Sequence, residues 1–499
     1  MTESTKTLLE EAKERFKLAE EAWADNRKAF VEDLEFRMGK QWPDAIVDER
    51  EKSGRPCLVV DKVQQYIRQV VNDGRQNRPS IKVRPVDDYG DDEVAEVFQG
   101  IIRHISDRSN ADEAYDTALD HSVTGGFGFI RVLTEYAHEK TFNQEICIAR
   151  VRNPLSVYLD PNCTKADGSD AQWGFFIDTI QKDAFKSQFP DAEKTDWTTD
   201  GELYGDGWIQ EDNVIVVEYF YKQEVTAKLH LLQDGTSVTE DEYQRAVDNG
   251  VQVPGIVSSR DIKTHKVKWA KLSGAEILEE RDWPGKYIPI IPVYGNEYDL
   301  EGKVIYTGLI RPAKDAQRLY NYSRSAFAER VALTPKAPYI AAAGQVESYP
   351  EWETANTENH SVLRYDPIDV NGTAVGAPQR QQASDIPSGF AQDMQLSEHD
   401  IQSAIGMYAA SLGQASNEKS GKAILARQRE GDVATFHYMD NLNRAIRHLG
   451  RILVDLIPKI YDSNRVVRVL GEDGTATPVR LDPMQRKRCA RKAASRFTT

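Results

Sequence analysis

Two helical patterns bracket a short β-rich stretch, and this arrangement constrains the chain more than any other feature of its sequence. The first pattern, "TGLIRPAKDAQRLYNYSRSAFAERVAL" (307–333), carries Pro312 in its first turns, where a missing N–H costs little, and stops at Thr334-Pro335. Residues 335–384 follow as short strands and turns, "APYIAAA", "SVLRYDP" and "VNGTAVGAP". A second helix is predicted over about 387–411, with Phe390, Met394, Ile401, Ile405, Tyr408 and Leu412 along one side. The two helices are expected to run antiparallel, with the insert at their far tip. Neither has enough apolar surface to be buried all round, so they are expected to pack beside copies from other subunits.

A longer pattern comes next. From about 421 to 457, Phe436, Met439, Leu442, Ile446, Leu449, Leu453 and Leu456 repeat every three or four residues. As one helix this stretch would span ~54 Å at 1.5 Å per residue. So long a rod with one narrow stripe is expected to need neighbours on its flanks.

The N-terminal part mixes both periods. Residues 5–38 read as a helix with Leu9, Phe16, Ala19, Trp23, Phe30 and Leu34 on one stripe; Gly39 ends it and Pro43 prevents its return. A helix over about 61–73, an extended strand through "NDGRQNRPSIKVRPVDD" and a helix over 92–120 are predicted next. From "GFGFIRVLTEY" to about 305 the chain reads as mostly β, in the runs "EICIARV", "SVYLDP", "GFFIDTI", "NVIVVEYFY", "AKLHLLQ", "HKVKWAKL" and "YIPIIPVYG" separated by turn residues, with short helices near 183–189 and 240–249. The fold class is α+β.

Charge and cysteine content narrow the function. The 63 basic and 79 acidic residues give a net charge of −16, so the chain as a whole would repel a nucleic-acid duplex and any contact with one must be local. The four cysteines, Cys57, Cys147, Cys163 and Cys489, form no CxxC pair, which predicts a reducing compartment without a disulfide framework or a structural zinc site. No apolar run approaches membrane-spanning length and the N-terminus lacks a signal core, so neither a secretory signal nor a membrane span is expected.

The chemical motifs are weak. "SNEKSGKAILARQREGD" (416–432) holds a Gly421-Lys422 pair that looks like a phosphate loop, but Gly413 lies eight residues before Gly421, Ala423 stands where Ser or Thr is required, and a helix precedes it. A flexible polar loop explains it better. "GGFGF" (125–129) has Arg131 where a dinucleotide fingerprint needs its last glycine, and reads as a tight turn into a strand. "DDYGDDE" (87–93) offers carboxylates without EF-hand spacing and reads as the acidic start of a helix. HExxH and GxSxG are both missing from the sequence. No cofactor, metal or catalytic residue is expected. The basic end "MQRKRCARKAASRFTT" is either a nucleic-acid-binding tail or a disordered terminus.

Several stretches together resemble one family. "DLEFRMGKQWP" (33–43), "RPCLVVDKVQQYIRQVVNDGRQNRPSIKVRP" (55–85), "DPNCTKADGSDAQWGFF" (160–176), "IPIIPVYG" (288–295) and "KSGKAILARQREGD" (419–432) are similar to the portal proteins of tailed bacteriophages, in particular the short-tailed branch. The resemblance spans nearly the whole chain to about 480. It implies a ring, typically of twelve subunits, at one capsid vertex of the virion, assembled in the host cytoplasm. Double-stranded DNA would pass through it without regard to sequence. The implied partners are the terminase large subunit, the major capsid and scaffolding proteins and a tail or head-completion adaptor, with no membrane.

Carried over by segment, the resemblance implies a portal fold: a helical and β-rich wing (1–305), stem helices (306–334 and 385–411) flanking a small α/β clip (335–384), a tunnel loop (412–421), a long wing helix (422–457), and the start of a crown with the basic tail (458–499). Relatives usually continue further, often into a helical barrel; none is expected here. Gln414, Ser416, Asn417, Lys419 and Lys422 would face DNA. Phe390, Met394, Ile401, Ile405 and Tyr408 would pack the stem, and Tyr339, Glu347, Glu351, Arg364 and Asp366 of the clip would dock the terminase or adaptor. An acidic chain with isolated lysines near the constriction, Lys419 and Lys422, suits sliding, because each neutralised phosphate adds affinity that opposes movement. Two other readings are set against this one: a nucleotide- or metal-dependent nucleic-acid enzyme using Lys422 or the acidic run around Asp91, and a capsid or scaffolding component without a channel.

Overall fold

The computed structural model describes residues 7–84, 92–192, 213–248, 253–274, 276–333, 339–355, 358–368, 371–380, 389–407, 435–461, 466–470 and 476–480. Helices and antiparallel strands are mixed throughout, an α+β architecture. The chain divides into two compact units: Met1–Leu34, Gln65–Arg311 and Ala409–Thr499 form one, and Glu35–Gln64 with Pro312–Tyr408 form the other. The 1–305 stretch expected as one region therefore contributes to both.

Five helices open the chain: α1 (Leu8–Arg37), α2 (Asp44–Lys52), α3 (Val63–Gln76), α4 (Asp92–Arg108) and α5 (Ala111–Gly125). Pro43, read from sequence as a barrier, sits immediately before α2, where proline favours a helix start. The single helix expected over 92–120 is two, because Asn110 adopts the left-handed conformation (φ 49°) that short polar side chains tolerate. Of the strand expected from residue 72 onward, residues 72–76 belong to α3 and residues 78–84 join no ladder among the described residues; Ile81 packs beside Gly450 instead.

The first unit is built on two sheets. One has the order β2–β1–β9, from β1 (Phe127–Tyr136), β2 (Gln144–Arg150) and β9 (Ile290–Tyr294). The other has the order β3–β4–β5–β7–β8, from β3 (Val157–Leu159), β4 (Trp173–Gln181), β5 (Asn213–Leu232), β7 (Ile256–Leu272) and β8 (Ile277–Asp282). β6 (Ser237–Thr239) also pairs with β5, and the short helices α6 (Lys182–Gln188) and α7 (Glu240–Asp248) fall where the sequence placed them. "NVIVVEYFY" and "AKLHLLQ" prove to be one 20-residue strand, β5, whose far half pairs with β7 beyond the reach of β4. A hairpin of β10 (Asn296–Leu300) and β11 (Lys303–Thr307) turns at Glu301 and Gly302, both at positive φ.

Aromatic rings fill the core where α1 crosses the sheets. Trp23 stacks on Tyr306 and meets Phe127 edge-on, both at 5.3 Å, while Tyr294 and Tyr306 stack at 4.3 Å. The Trp23 indole N–H donates to the Leu159 carbonyl at 3.1 Å, giving the buried ring its required partner. Asn26 serves the edge of β11 as another strand would, donating to Val304 O (2.8 Å) and accepting from Tyr306 N (2.9 Å). Close approach needs glycine at two points: a Cβ on Gly128 would lie 2.3 Å from Ala118 O, and one on Gly308 2.3 Å from Thr124 O.

The long C-terminal helix, α10 (Phe436–Ile460), departs from expectation in its surroundings. Its residues Leu442, Ala445, Ile446, His448, Leu449, Gly450, Ile452 and Leu453 are all buried within the first unit. Asn441 donates to the carbonyls of Tyr294 (3.0 Å) and Gly295 (2.9 Å), and the Lys286 N–H donates to Asp455 (2.8 Å). The flanks expected to need neighbouring copies are covered by the chain itself. The earlier part of that pattern, up to residue 434, lies outside the described residues; a hairpin, β14 (Val466–Leu470) and β15 (Ala476–Arg480), follows α10.

Candidate functional site

The second unit holds the two helices that bracket the β-rich insert. α8 (Ile310–Leu333) enters it at Pro312, and α9 (Gly389–Ile405) faces α8 through contacts that run in opposite order. Phe327 meets Phe390 edge-on at 6.5 Å, and the Ser323 hydroxyl donates to Asp393. Nearer the start of α8, Lys62 links the two by lying over the Tyr320 ring (5.5 Å) and pairing with Glu398 (3.2 Å). As the numbers fall along α8 they rise along α9, which is antiparallel packing.

Ile401 and Ile405 are 0% and 6% exposed, so their own chain already covers them, while Phe390 and Met394 are half-buried. Leu396 on the same helix is 62% exposed. Tyr408 lies outside the described residues, as do Gln414, Ser416, Asn417, Lys419 and Lys422, the Gly421-Lys422 pair, Asp91, Cys489 and the basic tail. Among the described residues no cluster of His, Cys, Asp or Glu could hold a metal ion.

Sequence reasoning missed what sheathes α8. Residues 57–62 run extended along the helix, and three side chains spaced four apart bond alternate amides of this strap. Lys62 N donates to Gln317 (2.9 Å), Val60 N to Asn321 (3.0 Å) and Leu58 N to Ser325 (2.9 Å). The Gln317 amide also donates to Val60 O at 2.8 Å, and Asn321 donates to the buried Gln41 at 2.6 Å. The physical need is plain: helical backbone is self-satisfied, so a strand crossing it must take its partners from side chains. The signal was present as Gln317, Asn321 and Ser325 at i, i+4 and i+8, three polar residues on one buried face. Beyond the strap, Arg50 (3.2 Å) and Arg55 (3.3 Å) share Glu329, and Trp42 packs on Tyr322 at 4.4 Å.

The insert is closed at its base by two short strands, β12 (Tyr339–Ile340) and β13 (Gln379–Arg380). Gln345, 1% exposed, is its organising side chain: it accepts from Ala342 N (2.9 Å) and donates to Gly376 O (2.6 Å), while its carbonyl accepts from Asp366 N (2.9 Å). The expected docking side chains are engaged here. Tyr339 meets Trp352 edge-on (5.0 Å), Glu351 pairs with Arg364 (3.0 Å), Asp366 accepts from the Tyr349 hydroxyl (2.9 Å), and Glu347 accepts from Gly344 N (3.2 Å). The Glu351 carboxyl is held below its ordinary value by its own backbone N–H and by Arg364, and Asp366 pushes the Tyr349 phenol up. Around this network Ile340, Val362, Tyr365 and Ile368 stand exposed.

Within the insert Gln345, Glu351, Arg364, Tyr349 and Asp366 thus bond one another or the backbone, while Ile340, Val362, Tyr365 and Ile368 remain exposed. The chain belongs to the phage P22-like portal protein family, whose model matches residues 13–494. It is thus a structural virion component of a bacteriophage. It is also 26% identical over 436 residues to a protein named "Portal protein" from Acyrthosiphon pisum secondary endosymbiont phage 1. That match covers 84% of this chain and 60% of the relative's length.

Proposed function

We propose that the chain is a ring-forming subunit that conducts double-stranded DNA at a capsid vertex and docks the terminase large subunit, the capsid and scaffolding proteins and a tail or head-completion adaptor. In this reading α8 and α9 are the stem and residues 335–384 the clip. Residues 412–421 are the tunnel loop, with Gln414, Ser416, Asn417, Lys419 and Lys422 meeting DNA.

The antiparallel helix pair bracketing a self-satisfied module carries the proposal. Leu319 and Leu396 on the helices and Ile340 and Val362 on the module are exposed. Apolar groups left bare on a structural element are what copies arranged around an axis would cover.

Light scattering coupled to size exclusion tests the reading. The purified chain should form a large closed homo-oligomer without ATP hydrolysis, and Lys419→Ala should leave that assembly intact while altering packaging. A monomer under all working conditions, or an ATPase activity lost in Lys422→Ala, would favour the enzyme reading instead.

A further inference from the structure

In a chain of net charge −16, the outward arc of α10 carries a row of arginines. Arg444, Arg447 and Arg451 fall at i, i+3 and i+7, which places them on one face of the helix over about 10 Å at 1.5 Å per residue. Arg444 and Arg447 are exposed and Arg451 is half-buried, while Ala445, Ile446, Leu449 and Gly450 between them are buried. Arg444 pairs with Asp440, and Arg451 with Asp167 at 3.3 Å. Arg447 has no ion pair among the described residues.

A second run of positive charge lies against the same helix. The 78–84 segment meets α10 at Gly450, where a Cβ would stand 3.0 Å from the Ile81 side chain, so glycine lets the segment lie close. Burial alternates along it: Ile81 and Val83 are half-buried, whereas Lys82 and Arg84 are exposed. Neither Lys82 nor Arg84 has an ion pair among the described residues. With Arg447 they make three uncompensated cations on two elements in contact. On the Arg451 side, the loop that carries Asp167 adds an exposed Lys165.

No apolar side chain is exposed between Arg444 and Arg451, so the surface lacks the apolar centre that a protein partner would bury. It offers clustered charge and guanidinium forks, the footprint that phosphate oxygens match. We infer that Lys82, Arg84 and the 444–451 face of α10 bind the phosphate backbone of duplex DNA without regard to sequence. These are not the residues assigned to the tunnel loop, so the surface is a second DNA contact. Duplex DNA is the partner named by the proposed function, and for that identity the inference rests on that reading. Because each neutralised phosphate opposes sliding, this surface holds a duplex at rest, whereas the isolated lysines of the tunnel loop let one move.

Fluorescence anisotropy of a short labelled duplex, titrated with the full chain across salt, tests this. Three phosphates neutralised by Lys82, Arg84 and Arg447 correspond to a log–log salt slope of about −2.7, or about fortyfold in affinity between roughly 50 and 200 mM salt. Lys82→Glu/Arg84→Glu/Arg447→Glu should remove about that much slope and weaken binding at least about tenfold at the lower salt. Lys186→Glu/Lys228→Glu/Lys263→Glu makes the same change in net charge on exposed side chains of α6, β5 and β7, and should keep the slope and lose less than about threefold. All six side chains are exposed, so both variants should keep the wild-type thermal midpoint. Equal weakening in the two variants, wild-type binding in the first, or no duplex binding by the wild-type chain overturns the inference. So does a first variant that loses assembly by light scattering yet keeps its DNA affinity, since the surface would then be a contact between copies. Weakening confined to Lys419→Ala/Lys422→Ala overturns this surface and leaves the tunnel-loop reading standing. A monomeric wild type whose binding falls in the first variant alone overturns the ring reading and leaves this surface standing.

Discussion

Replacing Asn321 with alanine isolates the ladder that holds the strap to α8. The Asn321 amide accepts from Val60 N at 3.0 Å and from Gln317 at 3.1 Å, and donates to Gln41 at 2.6 Å. Truncation strands the Gln41 side-chain oxygen in a buried position, where an unmet polar group costs about 1–3 kcal/mol. Val60 N–H also loses its acceptor, but Val60 is only half-buried and water offsets part of that loss. Gln317 keeps both of its bonds to the strap and adds little to the cost. The sum is about 2 kcal/mol or more, so amide exchange over 57–62 should accelerate roughly thirtyfold. Hydrogen–deuterium exchange with mass spectrometry reads this directly. Asp315→Ala, on the same helix with a side chain 98% exposed, should change stability by less than about 0.5 kcal/mol. If exchange over 57–62 in Asn321→Ala stays within threefold of wild type, the ladder does not hold the strap and the account of the second unit is wrong.

Four further substitutions test the fold and the assembly. Ile401→Asp places an unpaired charge in a fully covered position and should cost at least about 3 kcal/mol in denaturant unfolding, whereas Leu396→Asp should leave unfolding unchanged and impair multimer formation seen by light scattering. Gly308→Ala forces a Cβ to within 2.3 Å of a backbone oxygen that cannot swing aside, so its thermal midpoint should fall and soluble yield drop. Burial pushes the His448 imidazole down to about 4, against the opposing pull of Asp167. The folded chain therefore keeps it neutral while the unfolded chain protonates near pH 6.5; stability is full above that value and declines as pH falls toward 4, by about 3 kcal/mol in total. His448→Gln should flatten the pH dependence of the midpoint between 6.5 and 4.

Much of the architecture was legible because it rests on periodicity. The stripe through Phe16, Ala19, Trp23 and Phe30 became the buried face of α1, and the alternation in "GFGFIRVLTEY" became β1. The places where reading failed turn on single residues with two meanings. Pro43 blocks a helix from one side and begins one from the other, and Asn110 breaks a helical pattern that runs on both sides of it. Strand β8 and the β10–β11 hairpin were not announced, since "AEILEERD" and "NEYDLEGKV" are too acidic to advertise a strand. The division of the chain was hidden for another reason: Gln41, Val60 and Lys62 reach residues some 250 positions away through polar bonds, and hydrophobic pattern carries no trace of such pairing. Of the site expected from the sequence, the α8–α9 residues and the insert are on view, while the segment from Gln414 to Lys422 lies outside the described residues.

Electron microscopy of the purified chain bears most directly on whether α8 and α9 stand beside copies of themselves around an axis. The proposal predicts closed rings with a central hole wide enough for a DNA duplex, with the α8–α9 pair repeated around it and Leu396 covered by a neighbour. Isolated globular particles, or a closed assembly without a hole, would contradict it.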